Sequence, residues 1–350
     1  MKDIRNYSLL AHNTFGIDGR CRRFLEYSTV EEAQRITRML TPDDLPLLIL
    51  GSGSNLLLTQ DFPGTVVHSA IRGIEVVEDP KNGSKGSPED APSDQVLLKC
   101  GSGEVFDDVV AYAVDHGFHG AENLSIIPGE VGASAIQNIG AYGVEAKDII
   151  DHVEAVEIAT GKVVTFDNPD CGYSYRQSKF KHEWKNKYLI THVIYAFSTR
   201  FCPDLDYGNI RTSLEQKGIV HPTAQQLREV IIEIRHAKLP DPKEQGNAGS
   251  FFMNPIVDAA KYQDLAAQYP GMPHYTLVDG REKIPAGWMI EQCGWKGKSL
   301  GPAGVHDRQA LVLVNRGGAK GSDVVRLYQA IQKDVFQRFG IEIHPEVNII

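Results

Sequence analysis

The run Ile127-Pro128-Gly129-Glu130-Val131-Gly132-Ala133-Ser134-Ala135-Ile136-Gln137-Asn138-Ile139-Gly140-Ala141-Tyr142-Gly143 constrains this chain more than any other stretch of it. Its glycines, with Ala and Ser between them, leave little side chain to build a core. They suit backbone that must lie close against something flat, because a residue without Cβ permits approaches and conformations closed to other residues. An ordinary surface loop has no need of that. A shorter cluster, Gly51-Ser52-Gly53-Ser54-Asn55, follows Leu47-Leu48-Ile49-Leu50, which reads as a buried strand. Backbone N–H groups at such loops are what a diphosphate requires. Taken alone, each short Gly-Ser loop is more often a plain turn.

The familiar nucleotide motifs are incomplete. Leu56 and Phe106 occupy the sixth positions counted from Gly51 and Gly101, so neither loop is the G-x-G-x-x-G of a Rossmann turn. Gln292 stands where a P-loop ending in Gly297-Lys298-Ser299 needs glycine. With 36 Lys and Arg against 45 Asp and Glu, the net charge of −9 disfavours a nucleic-acid partner. No window approaches the roughly 18 apolar residues that crossing a membrane requires, and Met1 to Tyr7 lacks a signal peptide's apolar core. The expected location is cytoplasmic, with no membrane partner. Five scattered cysteines without a Cys-x-x-Cys pair read as reduced thiols, and scattered histidines argue against a metal site.

At 350 residues the chain is long enough for two or three packed units. Ser28 and Glu31 read as a capping box before an amphipathic helix through Leu40. Val96-Leu97-Leu98 reads as a strand leading through Gly101-Ser102-Gly103 into a helix with Phe106, Val109, Val110 and Ala113, closed by Gly117. Between these units, Glu78 to Gln95 is rich in Asp, Lys, Gly, Ser and Pro and reads as an exposed, mobile loop. Val163 to Phe166 and Tyr188 to Phe197 read as paired strands of a mixed sheet. Thr223 and Gln226 form a capping box for a helix that Pro240 and Pro242 end, which places a domain boundary there. Helices over Asp258 to Tyr269, Ala286 to Cys293 and Val324 to Phe339, with a strand at Ala310 to Val314, complete the reading.

The two glycine-rich segments together resemble the FAD-binding half of the UDP-N-acetylenolpyruvoylglucosamine reductases, flavoproteins of the vanillyl-alcohol-oxidase type. The same family's pattern is matched, in order, by Asn13-Thr14-Phe15-Gly16, Gly172-Tyr173-Ser174-Tyr175-Arg176, Leu205-Asp206-Tyr207-Gly208, Gly246 to Pro255 and His344-Pro345-Glu346-Val347. The resemblance therefore runs over essentially the whole chain, and its tyrosine segment is that of the longer of the family's two types. It implies an α+β fold with FAD-binding subdomains at 1–70 and 71–237 and an α+β substrate-binding domain at 238–350. It also implies bound FAD, NADPH as hydride donor, a UDP-sugar enolpyruvyl ether as substrate and a monomeric enzyme of peptidoglycan precursor synthesis. By the same resemblance Arg176, Ser250 and Glu346 fall on catalytic positions and Tyr207, Lys238, Asn254 and Tyr275 on substrate-contacting ones. Gly51, Ser52, Gly53, Ser54, Asn55, Pro128, Gly129, Gly132, Ala133, Gln137, Asn138, Gly140, Ala141, Tyr142 and Gly143 fall on the cofactor side.

The chemistry of the residue types agrees. A guanidinium such as Arg176 meets a carboxylate and developing enolate bidentately. Ser250, flanked by glycine, can present a hydroxyl proton, and Glu346 can donate a hydrogen bond when protonated. Singly, each has a plainer reading: Arg176 as a surface ion-pair partner, Ser250 as a helix cap before Phe251, Glu346 as a solvated residue. Tyr207 is compatible with a turn and Lys238 with a helix C-terminal cation. Gln177, Met253 and His344 depart from residues common in the family. Two other functions fit parts of the pattern: an oxygen-using FAD oxidase of the same fold, and a sugar-nucleotide sensor without chemistry.

Overall fold

The computed structural model describes residues 1–77 and 94–350. Most of the loop expected at Glu78 to Gln95 lies outside the described residues. The chain forms two compact units. The first holds Met1–Tyr7, Cys21–Ser52 and Pro63–Arg235, and the second holds Ser8–Arg20, Gly53–Phe62 and His236–Ile350.

In the first unit a four-stranded sheet runs in the order Lys2–Ser8, Arg20–Tyr27, Phe62–Ser69, Leu47–Leu50, the last two parallel. Helix α1 (Val30–Met39) covers it, burying Ala33 and Ile36 against Leu25, Tyr27 and Val67. Its cap is Thr29, one residue beyond the expected Ser28. The Thr29 hydroxyl accepts the Glu32 N–H at 3.2 Å while Glu32 reaches back to the Ser28 N–H at 2.7 Å. The expectation fails by one position because Val30 is the first helical residue, which puts Thr29 within reach of the third amide.

A five-stranded sheet follows, ordered Val163–Asp167, Ile150–Glu157, Tyr188–Ser198, Gln95–Gly101, Ile74–Val77. It is antiparallel throughout, not mixed, and Ile150–Glu157 lies between the two strands expected to pair. Ile150–Glu157 and Val163–Asp167 are joined by a short turn, so they pair locally as a hairpin, and Tyr188–Ser198 takes the remaining edge. Helix α2 (Phe106–Asp115) buries Phe106, Val109, Val110 and Ala113 against this sheet, as its spacing predicts. Helix α3 (Val131–Gln137) is the middle of the glycine-rich run. The two sheets are tied by the Tyr27 hydroxyl donating to Ile190 O at 2.7 Å and by the Ser69 and Ser102 hydroxyls, 2.6 Å apart.

Helices α4 (Ile210–Gln216) and α5 (Ala224–Lys238) pack Ile210 and Leu214 against Leu227, Val230, Ile231 and Ile234. The capping box of α5 is as the sequence predicts: Thr223 N–H donates to Gln226 Oε1 at 2.9 Å and Gln226 N–H donates to the Thr223 hydroxyl at 3.2 Å.

The second unit holds helices α6 (Ala259–Gln268), α7 (Ala286–Gln292) and α8 (Gly321–Phe339). Helix α8 starts three residues before the expected Val324, because Asp323 accepts the Lys320 N–H at 2.9 Å and closes the first turn there. An antiparallel sheet runs Asn247–Ser250, Val312–Asn315, Ala303–Val305, Ser299–Leu300. A smaller one runs Ile256–Val257, Glu282–Lys283, Tyr275–Thr276. Two early segments complete this unit. Leu56–Leu57 pairs in parallel with Asn348–Ile349, and the Thr14 hydroxyl donates to Asn247 O at 2.6 Å. No helix of the described residues is long and apolar enough to cross a membrane.

Candidate functional site

In the first unit the glycine-rich run packs helix α3 against Tyr188–Ser198 and Gln95–Gly101, inner strands of the five-stranded sheet. Gly132 donates its N–H to Ser102 O at 2.8 Å, and a Cβ added to it would stand 3.0 Å from the Ser102 Cβ. A side chain here would press on Ser102, which would have to give by a few tenths of an ångström, so the close seat of α3 favours glycine. After α3 the chain turns at Asn138, whose φ of 45° is left-handed. Its buried side chain donates to Ser174 O at 2.9 Å and Glu145 Oε2 at 3.1 Å and accepts the Lys147 N–H at 3.0 Å. That set locks the hairpin Gly140–Ala141 with Val144–Glu145 onto the segment bearing Arg176.

Arg176 also has a positive φ, 57°. Its guanidinium donates to Asn138 O at 3.3 Å and to Gly140 O, and it lies 3.6 Å from Glu145 Oε1. A Cβ on Gly140 would come within 2.7 Å of Arg176 Nη1, so this glycine makes room for the guanidinium. Non-glycine residues with positive φ are uncommon, yet Ile126, Asn138, Tyr142 and Arg176 all have it here. Such strain persists only where surrounding contacts over-determine it, and it gathers at functional sites.

Tyr142 and Tyr207 meet edge to face, ring centroids 6.4 Å apart. Asn123 clamps both of their segments, donating to Tyr142 O at 2.9 Å and Asp204 O at 3.0 Å. Burial pushes the Tyr142 phenol above its ordinary range against the opposing pull of Arg235, so it stays neutral. Gly51 and Ser52 end in this unit, while Gly53, Ser54 and Asn55 belong to the second.

The second unit brings Ser250 and Glu346 into one neighbourhood. Ser250 is exposed at the end of its strand, opposite Val312, and caps no helix. The next residues pair with the C-terminal segment: Glu346 N–H donates to Phe251 O at 2.8 Å, Met253 N–H to His344 O at 2.9 Å, and Phe252 bridges Pro345. Asn55 joins them through its side-chain amide, 3.3 Å from Glu346 O. Asn254 Oδ1 accepts the Ala286 N–H at 2.9 Å, which fixes the start of α7. Tyr275 lies opposite Lys283, whose ammonium is 5.3 Å from the ring centroid. Lys238 is exposed at the end of α5.

Sequence reasoning missed Glu145, Asn123 and Lys283. Glu145 follows Gly143 by only two residues, but nothing in the spacing says that a hairpin returns it to Arg176. The arrangement fits a flat, phosphate-bearing group. Gly140 to Glu145 is half-exposed apart from exposed Gly143, side chains along the run are small, and the Glu130 and Glu145 carboxylates are engaged, Glu130 by His68 and Glu145 by Asn138 and Arg176.

The fold is α+β and of the vanillyl-alcohol-oxidase type, and comparison with known proteins places the chain among the FAD-binding flavoproteins. A family model described as an FAD binding domain matches residues 22–167, and one for the C-terminal domain of UDP-N-acetylenolpyruvoylglucosamine reductase matches 241–350. Relatives named UDP-N-acetylenolpyruvoylglucosamine reductase include one from Bacteroides fragilis, 52% identical over 99% of each chain. One from Burkholderia multivorans is 46% identical over 98% of this chain and 95% of its own. The chain belongs to the UDP-N-acetylenolpyruvoylglucosamine reductase family. In fold it is similar to the solved reductase of Thermus caldophilus, with a TM-score of 0.66 at 21% identity over 99% of this chain and 98% of that one. It is also similar to 6-hydroxy-D-nicotine oxidase of Arthrobacter nicotinovorans, with a TM-score of 0.53 at 13% identity over 97% and 86%.

Proposed function

We propose that this chain reduces the enolpyruvyl ether of UDP-N-acetylglucosamine to UDP-N-acetylmuramate in peptidoglycan precursor synthesis, with FAD as cofactor and NADPH as hydride donor. The full-length identity of 52% to a named reductase carries the reaction. Residues 1–70 and 71–237 serve the flavin and 238–350 the substrate, in a monomeric cytoplasmic enzyme. Bound FAD supplies the hydride that the side chains cannot.

Gly51, Ser52, Gly53, Ser54 and Asn55, with Pro128, Gly129, Gly132, Ala133, Gln137, Asn138, Gly140, Ala141, Tyr142 and Gly143, hold the cofactor. Arg176 binds the substrate carboxylate and stabilises the charge that develops beside it, held in place by the Asn138 and Gly140 carbonyls. Ser250 donates a proton from its hydroxyl, and Glu346 hydrogen-bonds the enolic carboxylate in its protonated form. Their roles are supported by the backbone pairing that puts Phe251 against Glu346. Tyr207, Lys238, Asn254 and Tyr275 contact the nucleotide sugar.

The test is anaerobic mixing of the purified protein with NADPH, then with UDP-N-acetylglucosamine enolpyruvate, while the flavin absorbance is followed. NADPH should bleach the band and the sugar nucleotide restore it. Bleaching without recovery would point to another acceptor. Ser250→Ala should slow turnover by about 10²–10⁴-fold while the flavin is still reduced normally by NADPH. An equal loss in flavin reduction would contradict the role given to Ser250.

A further inference from the structure

A buried chain of ionisable groups in the first unit has no part in the chemistry above. His68 is the last but one residue of Phe62–Ser69, the strand parallel to Leu47–Leu50, and pairs with Leu50 immediately before Gly51. Its Nδ1 is 3.2 Å from Glu26 Oε2 and its Nε2 is 3.3 Å from Glu130 Oε1, and all three residues are buried. Glu26 in turn meets Lys2 Nζ at 2.7 Å. Glu130 is the cap residue of α3, yet its carboxylate makes no capping bond. Its Oε2 instead lies 3.1 Å from where a Gly51 Cβ would stand. One carboxylate therefore touches both glycine-rich segments.

Hydrogen-bond chemistry limits the protons this chain can hold. An ionised carboxylate only accepts, and a neutral imidazole offers one donor and one acceptor. A neutral ring between two ionised carboxylates would point a lone pair at an oxygen in a buried site, where the repulsion is poorly screened. Burial pushes the Glu26 carboxyl up, but Lys2 and His68 outweigh it and hold it below the usual carboxylate range, so Glu26 is ionised. One further proton then lies between His68 Nε2 and Glu130. With it, Lys2, Glu26, His68 and Glu130 sum to zero charge; without it they carry −1 beside the segments assigned to an anionic dinucleotide. Packed around the chain as well are Phe24, which stacks on His68, Tyr7, which stacks on Phe24 and bears on Lys2, and the buried Tyr27 phenol.

We propose that His68 and Glu130 are positioning residues for the flavin cofactor, sharing one proton that keeps the Gly51 turn and the start of α3 uncharged and in register. This rests on the assignment of those segments to FAD. The test is the rate of flavin release from the full-length holoprotein on dilution, read as recovery of flavin fluorescence at a series of pH values from about pH 6 to about pH 9. Release from the wild type should quicken about fivefold or more across that range as the negative charge appears. Glu130→Gln supplies an amide donor to His68 Nε2 and removes the titrating proton. Its release rate should match the wild type at low pH within about twofold and stay flat as pH rises. A wild-type rate that does not change with pH, or a Glu130→Gln protein that keeps the wild-type slope while melting at the same temperature, overturns the proposal. A wild type that holds no flavin at any pH would instead overturn the cofactor assignment beneath it.

Discussion

Asn138 concentrates more constraint than any neighbour: a left-handed backbone, a buried amide with three hydrogen bonds, and a carbonyl that receives Arg176. Asn138→Ala keeps the unfavourable φ and strips the amide, so it should destabilise the fold by about 2–3 kcal/mol in urea denaturation. Arg176→Lys cannot reproduce the paired contact with the Asn138 and Gly140 carbonyls, and turnover should fall well over tenfold with flavin content unchanged. Among the cysteines, burial pushes the Cys100 thiol up to about 12 and Cys171 up to about 11. Cys202 is exposed, so alkylation of the native protein at neutral pH should label it while Cys100 and Cys171 stay protected.

At the scale of elements, the caps and the central sheet make separate predictions. Thr223→Ala removes a hydroxyl cap and should cost about 1 kcal/mol. In the five-stranded sheet Lys99, Glu154 and His192 lie on three adjacent strands, with Lys99 Nζ 2.7 Å and His192 Nδ1 3.2 Å from Glu154. The contact with His192, with help from Lys99 and against the effect of burial, holds the Glu154 carboxyl at about 2. A folded value below the unfolded one stabilises the protein above the ordinary carboxylate range, and that contribution is lost as pH falls through about 2. The wild type should therefore exceed Glu154→Gln by on the order of 2 kcal/mol near neutral pH, and the gap should close on acidification in denaturant titrations. Helix spacing and caps of this kind were legible in advance: the Thr223 box and the buried positions of α2 and α5 stand where periodicity puts them. The order of strands was not, because Val163 to Phe166 and Tyr188 to Phe197 each look like sheet, and neither contains the fact that Ile150–Glu157 comes between them.

For the molecule as a whole, FAD that binds only the folded state must stabilise it. At about a hundred times its Kd the gain is about 2.7 kcal/mol, which should raise the Tm by roughly 4 °C. Light scattering on the eluted protein should give the mass of one chain; a dimer would correct the proposed monomer. The sequence alone determined what short windows can encode: glycine where backbone must come close, the Thr223 cap of α5, apolar spacing that sets buried faces, and the ordered motifs that mark the family. Tertiary structure alone decided that Ser8–Arg20 and Gly53–Phe62 join the C-terminal unit, that Glu346 pairs beside Ser250, and that Glu145 returns to Arg176. Local patterns follow from sterics and hydrogen bonds within a turn or two of chain, whereas those meetings depend on which backbone edges and apolar faces find each other across up to hundreds of residues, and no local window holds that information.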